Sequence, residues 1–171
     1  MKRIIMTCFA LFLSGCSTLN TQPTKLAHQQ ILPSVWEVYG RLSVSVNSDT
    51  KTSDFEVSFD HHDYKLILST AFGFGQILIE FNQQKLLVND GLINLTFNQW
   101  MMSEMGWYLP IDILAKILFK NEINSTHHHW QIEISRYQLI DGIQYPKVIR
   151  FNHLSKPIKI KLLINEVNQL K

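Results

Sequence analysis

Two runs of histidine are the first residues whose types invite chemistry: His61-His62 and His127-His128-His129. Clustered imidazoles can ligate a metal, but neighbours on a strand project to opposite faces. A sequential triplet therefore does not converge on one ion, and solvated turn positions explain these residues better. No metal site is expected. Ser58, His61 and Asp63 hold the atoms of a hydrolytic triad, yet no Gly-x-Ser-x-Gly elbow presents the serine. An enzyme is not expected. Gly73-Phe74-Gly75 lacks both the lysine and the strand-to-helix setting of a phosphate loop, so it reads as a hairpin, and no cofactor is implied. What remains is apolar chemistry. Phe72 and Phe74 stand among glycines that make residues 70–75 a turn, which places two aromatic rings on an exposed tip. Trp36, Phe55, Phe59, Trp100, Met101, Met105, Trp107, Leu114 and Leu118 are large enough to fill a core or to line a cavity. Spacing alone favours core.

Most of the elements that must hold these residues read as strands. Leu42, Val44 and Val46 alternate with Ser43 and Ser45, the period of a half-buried strand over residues 36–46. Residues 54–60 alternate likewise. Further strands are expected over 64–69, 76–82, 85–89, 92–97, 129–137, 146–152 and 157–165, nine to eleven in all. Turns fall at 47–51, 61–63, 82–84, 89–91 and 141–142. Such short connections favour antiparallel neighbours.

Two helices interrupt the strands. Asn98 can cap one over residues 99–105, which Gly106 would end. The other opens at Pro110, a residue suited to a first turn. It places Ile111, Leu114, Ala115 and Leu118 on one face, and Ile113, Ile117 and Phe119 beside it, with Asp112 and Lys116 its only charges. A helix apolar on most of its circumference is buried or borders something apolar. At about ten residues it is too short to cross a bilayer, which takes roughly twenty. Long antiparallel sheets curl, so the expected fold is mostly β with α: an open antiparallel β-barrel enclosing an apolar cavity covered by short helices.

The N-terminus reads as an address. Lys2 and Arg3 precede an apolar run from Ile4 to Leu13, then Ser14-Gly15-Cys16. A basic start, a short apolar core and small residues before a cleavage point describe an export signal over residues 1–15. Leu13-Ser14-Gly15-Cys16 resembles the bacterial lipobox, which implies cleavage before Cys16 and lipid on its thiol and amine. By the same resemblance, Ser17 in place of aspartate implies the outer membrane. Residues 16–33 are a polar tether, with 25–31 a candidate helical turn, and residues 34–171 form the domain. Cys8 leaves with the signal, so no disulfide forms within the mature chain. Without Lys2 and Arg3, the basic residues number 14 and equal the 14 acidic ones. So balanced a surface argues against nucleic acid as a partner, and a monomer is expected.

An ordered set of short motifs then resembles one family, the outer-membrane lipoprotein receptors of LolB type. They are the lipobox, Tyr39-Gly40-Arg41-Leu42-Ser43, Tyr64-Lys65-Leu66-Ile67-Leu68 running into Ala71-Phe72-Gly73, and Met105-Gly106-Trp107-Tyr108-Leu109-Pro110. Trp130-Gln131-Ile132, Tyr145-Pro146-Lys147-Val148-Ile149 and Ile158-Lys159-Ile160-Lys161-Leu162 complete it. The resemblance implies a receptor that takes lipoproteins from the periplasmic carrier LolA into an apolar acyl-chain cavity and inserts them into the outer membrane. It also implies that Phe72 takes the place of an exposed leucine needed for insertion, with Ala71 where the family has proline. A structural or assembly lipoprotein, using the same curved sheet to bind a protein, is the alternative. A LolA-type shuttle fits less well, because an anchored protein cannot diffuse.

Overall fold

A computed structural model describes residues 25–29, 31–69, 75–82, 84–121, 126–127 and 129–170. Cys16, Phe72 and Phe74 lie outside them. The alternating segments form one sheet in the order β7-β6-β5-β4-β3-β2-β11-β10-β9-β8, every neighbour on that path antiparallel. The strands are β1 (Lys25–Leu26), β2 (Val35–Val46), β3 (Asp49–Asp60), β4 (Asp63–Ser69), β5 (Gln76–Asn82) and β6 (Lys85–Val88). They continue with β7 (Gly91–Ile93), β8 (Thr126–His127), β9 (Trp130–Ile140), β10 (Ile143–His153) and β11 (Ile158–Gln169). The sheet does not close: β7 and β8 are its two ends. The open antiparallel barrel expected from the periodicity is the observed architecture.

Alternation decides the inner face. On β2, Trp36, Val38, Leu42 and Val44 are buried; opposite them β3 turns Phe55 and Val57 inward. Tight two-residue turns set the register. Asn47-Ser48, Asn89-Asp90 and Asp141-Gly142 all have positive φ, as hairpin turns that match strand twist require. The first is narrower than the expected 47–51, because β3 already begins at Asp49. Ser53, the one buried polar side chain among the described residues, donates to the Ser69 carbonyl at 2.8 Å.

The helices correct three expectations. Helix α1 (Phe97–Glu104) is capped by Thr96, not Asn98. The Gln99 amide donates to Thr96 Oγ1 at 3.3 Å, and the Thr96 amide to Gln99 Oε1 at 3.0 Å. This reciprocal pair needs Gln three residues after the cap, and Asn98 has Met101 there. The expected strand over 92–97 consequently stops at Ile93. Helix α2 (Ile111–Ala115) begins after Pro110 and widens into a π-helical turn, Lys116–Lys120, ended by Asn121 at φ 50°. Residues 25–29, within the expected helical turn, are not helical. Lys25 and Leu26 pair in parallel with Ile143 and Gln144, and the Ala27 amide donates to the Gln144 carbonyl at 2.9 Å. Strand pairing satisfies backbone groups that one isolated helical turn would leave open.

The cap gives a direct test. Thr96→Ala should cost about 1 kcal/mol, read as a lower urea midpoint at unchanged slope; Asn98→Ala should cost less than half of that.

Candidate functional site

The second helical segment is buried on most of its circumference. Ile111, Ile113, Leu114, Ile117, Leu118 and Phe119 are all buried, and Asp112 and Lys116 are exposed. Its ring contacts show how far it and its flanks reach across the sheet. Phe97 meets Tyr64 of β4 edge-on at 5.6 Å, and Phe119 meets Trp36 of β2 at 5.7 Å and Tyr145 of β10 at 6.2 Å. Tyr108, in the α1–α2 connector, meets Trp130 of β9 at 5.5 Å. In sheet order these contacts span six strands, β4 to β9. A lid seated on strands so far apart can only lie on the concave face of a curled sheet.

All nine apolar residues singled out in the sequence meet in this interior. Trp36, Phe55, Met101, Trp107, Leu114 and Leu118 are buried in one contiguous cluster, and Phe59, Trp100 and Met105 pack half-buried against it. The space between lid and sheet is filled by these side chains. Two clefts open at its margins. One of about 260 Å³ lies between the aromatic pair Phe59–Tyr64 and the starts of the helices at Phe97 and Ile111. The other, about 130 Å³, is bordered by Val44, Val46, Met105 and Trp107, with Asp49, Lys51 and Glu104 completing its lining. Both fall short of the roughly 300–1,000 Å³ of ordinary ligand pockets, so a long apolar guest needs the lid to move.

Motif reading missed the row of rings along one rim. Trp36, Phe59, Tyr64 and Phe81 occupy directly opposed positions on β2, β3, β4 and β5. They stack at 5.3, 6.1 and 5.3 Å with interplanar angles of 9°, 12° and 14°. The signal was present: a turn at His61-His62 places Phe59 opposite Tyr64. Burial, helped by Asp112, pushes the Tyr64 phenol well above its ordinary range, so it stays a neutral, largely apolar surface at every physiological pH.

The lid is held at both ends. At its start, Asp112 pairs with His127 Nε2 at 3.1 Å. At its end, the Gln29 amide donates to the Phe119 carbonyl at 2.8 Å, and His28 Nδ1 lies 3.1 Å from the Lys120 carbonyl. The segment just after the expected anchor is thus tied to the lid. The other histidines among the described residues form no metal-binding group. His61 pairs with Asp60, and His129 stacks on His153 at 5.8 Å. Burial, then Lys156 and His129, push the His153 pKa down. On the convex face Tyr39 donates to Glu37 at 2.9 Å; that bond, with burial and the carboxylates around it, pushes its pKa up to about 12. Among the described residues no helix is long and apolar enough to cross a membrane.

Fold and site define an open-barrel protein with an apolar interior beneath a helical lid. No protein-family model matches the chain. It is similar to the outer-membrane lipoprotein LolB of Marinomonas sp. (strain MWYL1), 23% identical over 195 aligned positions covering 96% of each chain. The fold is shared with a crystal structure of a DUF1329 family protein from Desulfovibrio piger ATCC 29098. That match has a TM-score of 0.52 and 9% identity, covering 80% of this chain and 86% of the other.

Proposed function

We propose that this protein is an outer-membrane-anchored lipoprotein receptor of LolB type, a binding protein rather than an enzyme. It accepts lipoproteins from a LolA-type periplasmic carrier, holds their acyl chains between lid and sheet, and inserts them into the outer membrane. The observation that carries this reading is the lid itself, an apolar segment laid across the concave sheet with clefts at its margins. Full-length similarity to an outer-membrane lipoprotein LolB supports it. Residues 1–15 are the signal, Cys16 carries the lipid, residues 16–33 tether it, and 34–171 form the cargo-binding domain, which works as a monomer.

The energetics favour passive exchange. Burying an acyl chain is worth about 0.8 kcal/mol per methylene, so a chain of roughly sixteen carbons carries on the order of ten kcal/mol. A receiver without ATP must match most of that with its own apolar surface. The residues now filling the interior, Trp36, Phe55, Met101, Trp107, Leu114 and Leu118, supply that surface once the lid shifts. Handover then needs only a small difference between donor and receiver.

The deciding experiment uses the non-lipidated protein, an environment-sensitive apolar fluorophore and a purified lipoprotein as competitor. Uptake of the fluorophore, with displacement by the lipoprotein and not by its delipidated form, is expected. No displacement would favour the assembly-lipoprotein alternative.

Phe72→Glu separates capture from delivery. A tip exposed as its glycines imply would bury little, so the substitution should change stability by no more than about 0.5 kcal/mol. Its value would lie in meeting the bilayer, where apolar surface leaves water at roughly 25 cal/mol per Å². The variant, and Phe74→Glu more mildly, should accept cargo from the carrier yet fail to release it into vesicles. A large drop in melting temperature would place Phe72 in packed core instead.

A further inference from the structure

One buried side-chain nitrogen has no hydrogen-bond partner among the described residues: Trp130 Nε1. Native interiors leave few such donors unpaired, and each calls for an explanation. Trp130 is fully buried at the start of β9, on the inner face that Ile132 shares. Its neighbours are rings: Tyr108 at 5.5 Å, Phe151 at 6.3 Å and His153 at 5.0 Å, all edge-on. His153 offers it no acceptor. Its Nδ1 takes the backbone amides of Ser155 and Lys156 at 3.2 and 3.1 Å, so in the neutral ring Nε2 carries the proton and is a second donor.

We propose that Trp130 is a cargo-binding residue whose indole N–H donates to an ester carbonyl of a lipid when the Tyr108 connector moves aside. The inference rests on the acyl-binding reading and sharpens it. Tyr108 covers Trp130 from the segment between α1 and α2, so the movement that opens the interior uncovers the donor. A hydrocarbon chain has no acceptor. The glycerol ester is the first polar atom group above it, and a lone N–H in an apolar wall fixes the depth at which that group stops. Apolar sites gain specificity from a few such groups. A guest lacking the acceptor leaves the donor unpaired, which a site built to bond it resists.

The test compares two synthetic peptides, one bearing S-(2,3-dipalmitoyloxypropyl)cysteine and the other an all-carbon counterpart of the same chain length in which methylenes replace both ester groups. The wild-type protein should bind the ester peptide about tenfold more tightly, the increment of one hydrogen bond. Trp130→Phe should erase that preference while leaving affinity for the all-carbon peptide within about twofold. Because the smaller ring leaves part of the core unfilled, a second variant replaces Trp130 with 3-benzothienylalanine, which keeps the bicyclic shape and removes only the N–H. Its loss of the ester preference supports the proposal. Equal weakening of both peptides would assign Trp130 to packing alone, and a preference that persists in both variants would overturn the hydrogen bond. Failure of the wild-type protein to bind either peptide would overturn the acyl-binding reading itself.

Discussion

Gly40→Ala is expected to lower stability by about 3 kcal/mol, at the upper end of overpacking in a filled core, and the melting temperature by roughly 6–12 °C. The reason is local. A Cβ built at position 40 falls 2.2 Å from the Leu163 carbonyl oxygen, 3.1 Å from its carbon and 2.8 Å from Phe55 Cε1. The phenyl ring can turn away; the backbone of β11 cannot. On that strand the pairing slips between Ile164 and Glu166, opposite Gly40 and Tyr39. Such an extra residue bends a strand and increases its twist, and glycine lets the neighbouring backbone close in. Phe55, paired with Gly40 across β3, covers the space left empty. Gly142→Ala is the control: a Cβ there meets nothing within 4 Å, and only its φ of 78° resists, at about 1 kcal/mol. Should Gly40→Ala melt within two degrees of the wild type, the close approach of β2 and β11 does not exist in solution.

The motif Tyr39-Gly40-Arg41 was visible as letters, but the reason for its glycine was not. It lies in a strand 123 residues later in the chain, counting from Gly40 to Leu163.

Local signals were legible and distant ones were not. The period-2 stretches became strands because alternation is set by backbone geometry, and Asp112 and Lys116 marked the only exposed strip of the lid. Thr96 as the cap was legible as well: Thr96-x-x-Gln99 is in the sequence, and weighing Asn98 on residue type alone overlooked the partner three positions on. The parallel pairing of Lys25 and Leu26 with β10 had no local signature, since a two-residue strand has no period. The π-helical turn was equally hidden, because its side chains follow an ordinary helical pattern up to Phe119. Trp130 stood in a recognised motif, Trp130-Gln131-Ile132, yet an unpaired N–H is a property of everything around a residue. The nine apolar residues were legible as members of one apolar interior; which of them touch which depended on pairings across the whole sheet.

Leu118→Asp should have a far larger effect than any change on the exposed strip of the lid. Leu118 has no exposed surface, and truncating such a leucine to alanine alone costs about 2–5 kcal/mol. Aspartate adds a carboxylate to an interior in which Ser53 is the only buried polar side chain among the described residues. No charged side chain is buried there among the described residues to compensate it, so the total should exceed about 4 kcal/mol, against no more than about 0.5 kcal/mol for Lys116→Asp on the exposed strip. The charge penalty has a sign that can be read. Burial raises the pKa of the new carboxyl in the folded state above the roughly 3.9 it has in the unfolded chain. Between those two values the folded protein holds more protons than the unfolded one, so stability falls as pH rises through that window. Melting curves for wild type and Leu118→Asp should therefore draw closer as pH drops from 7 towards 4, leaving only the loss of packing. A gap that stays constant with pH would mean that the carboxylate is solvated. A wild-type melting temperature combined with lost lipoprotein binding would mean that the lid stands open in solution and that Leu118 faces the cargo directly.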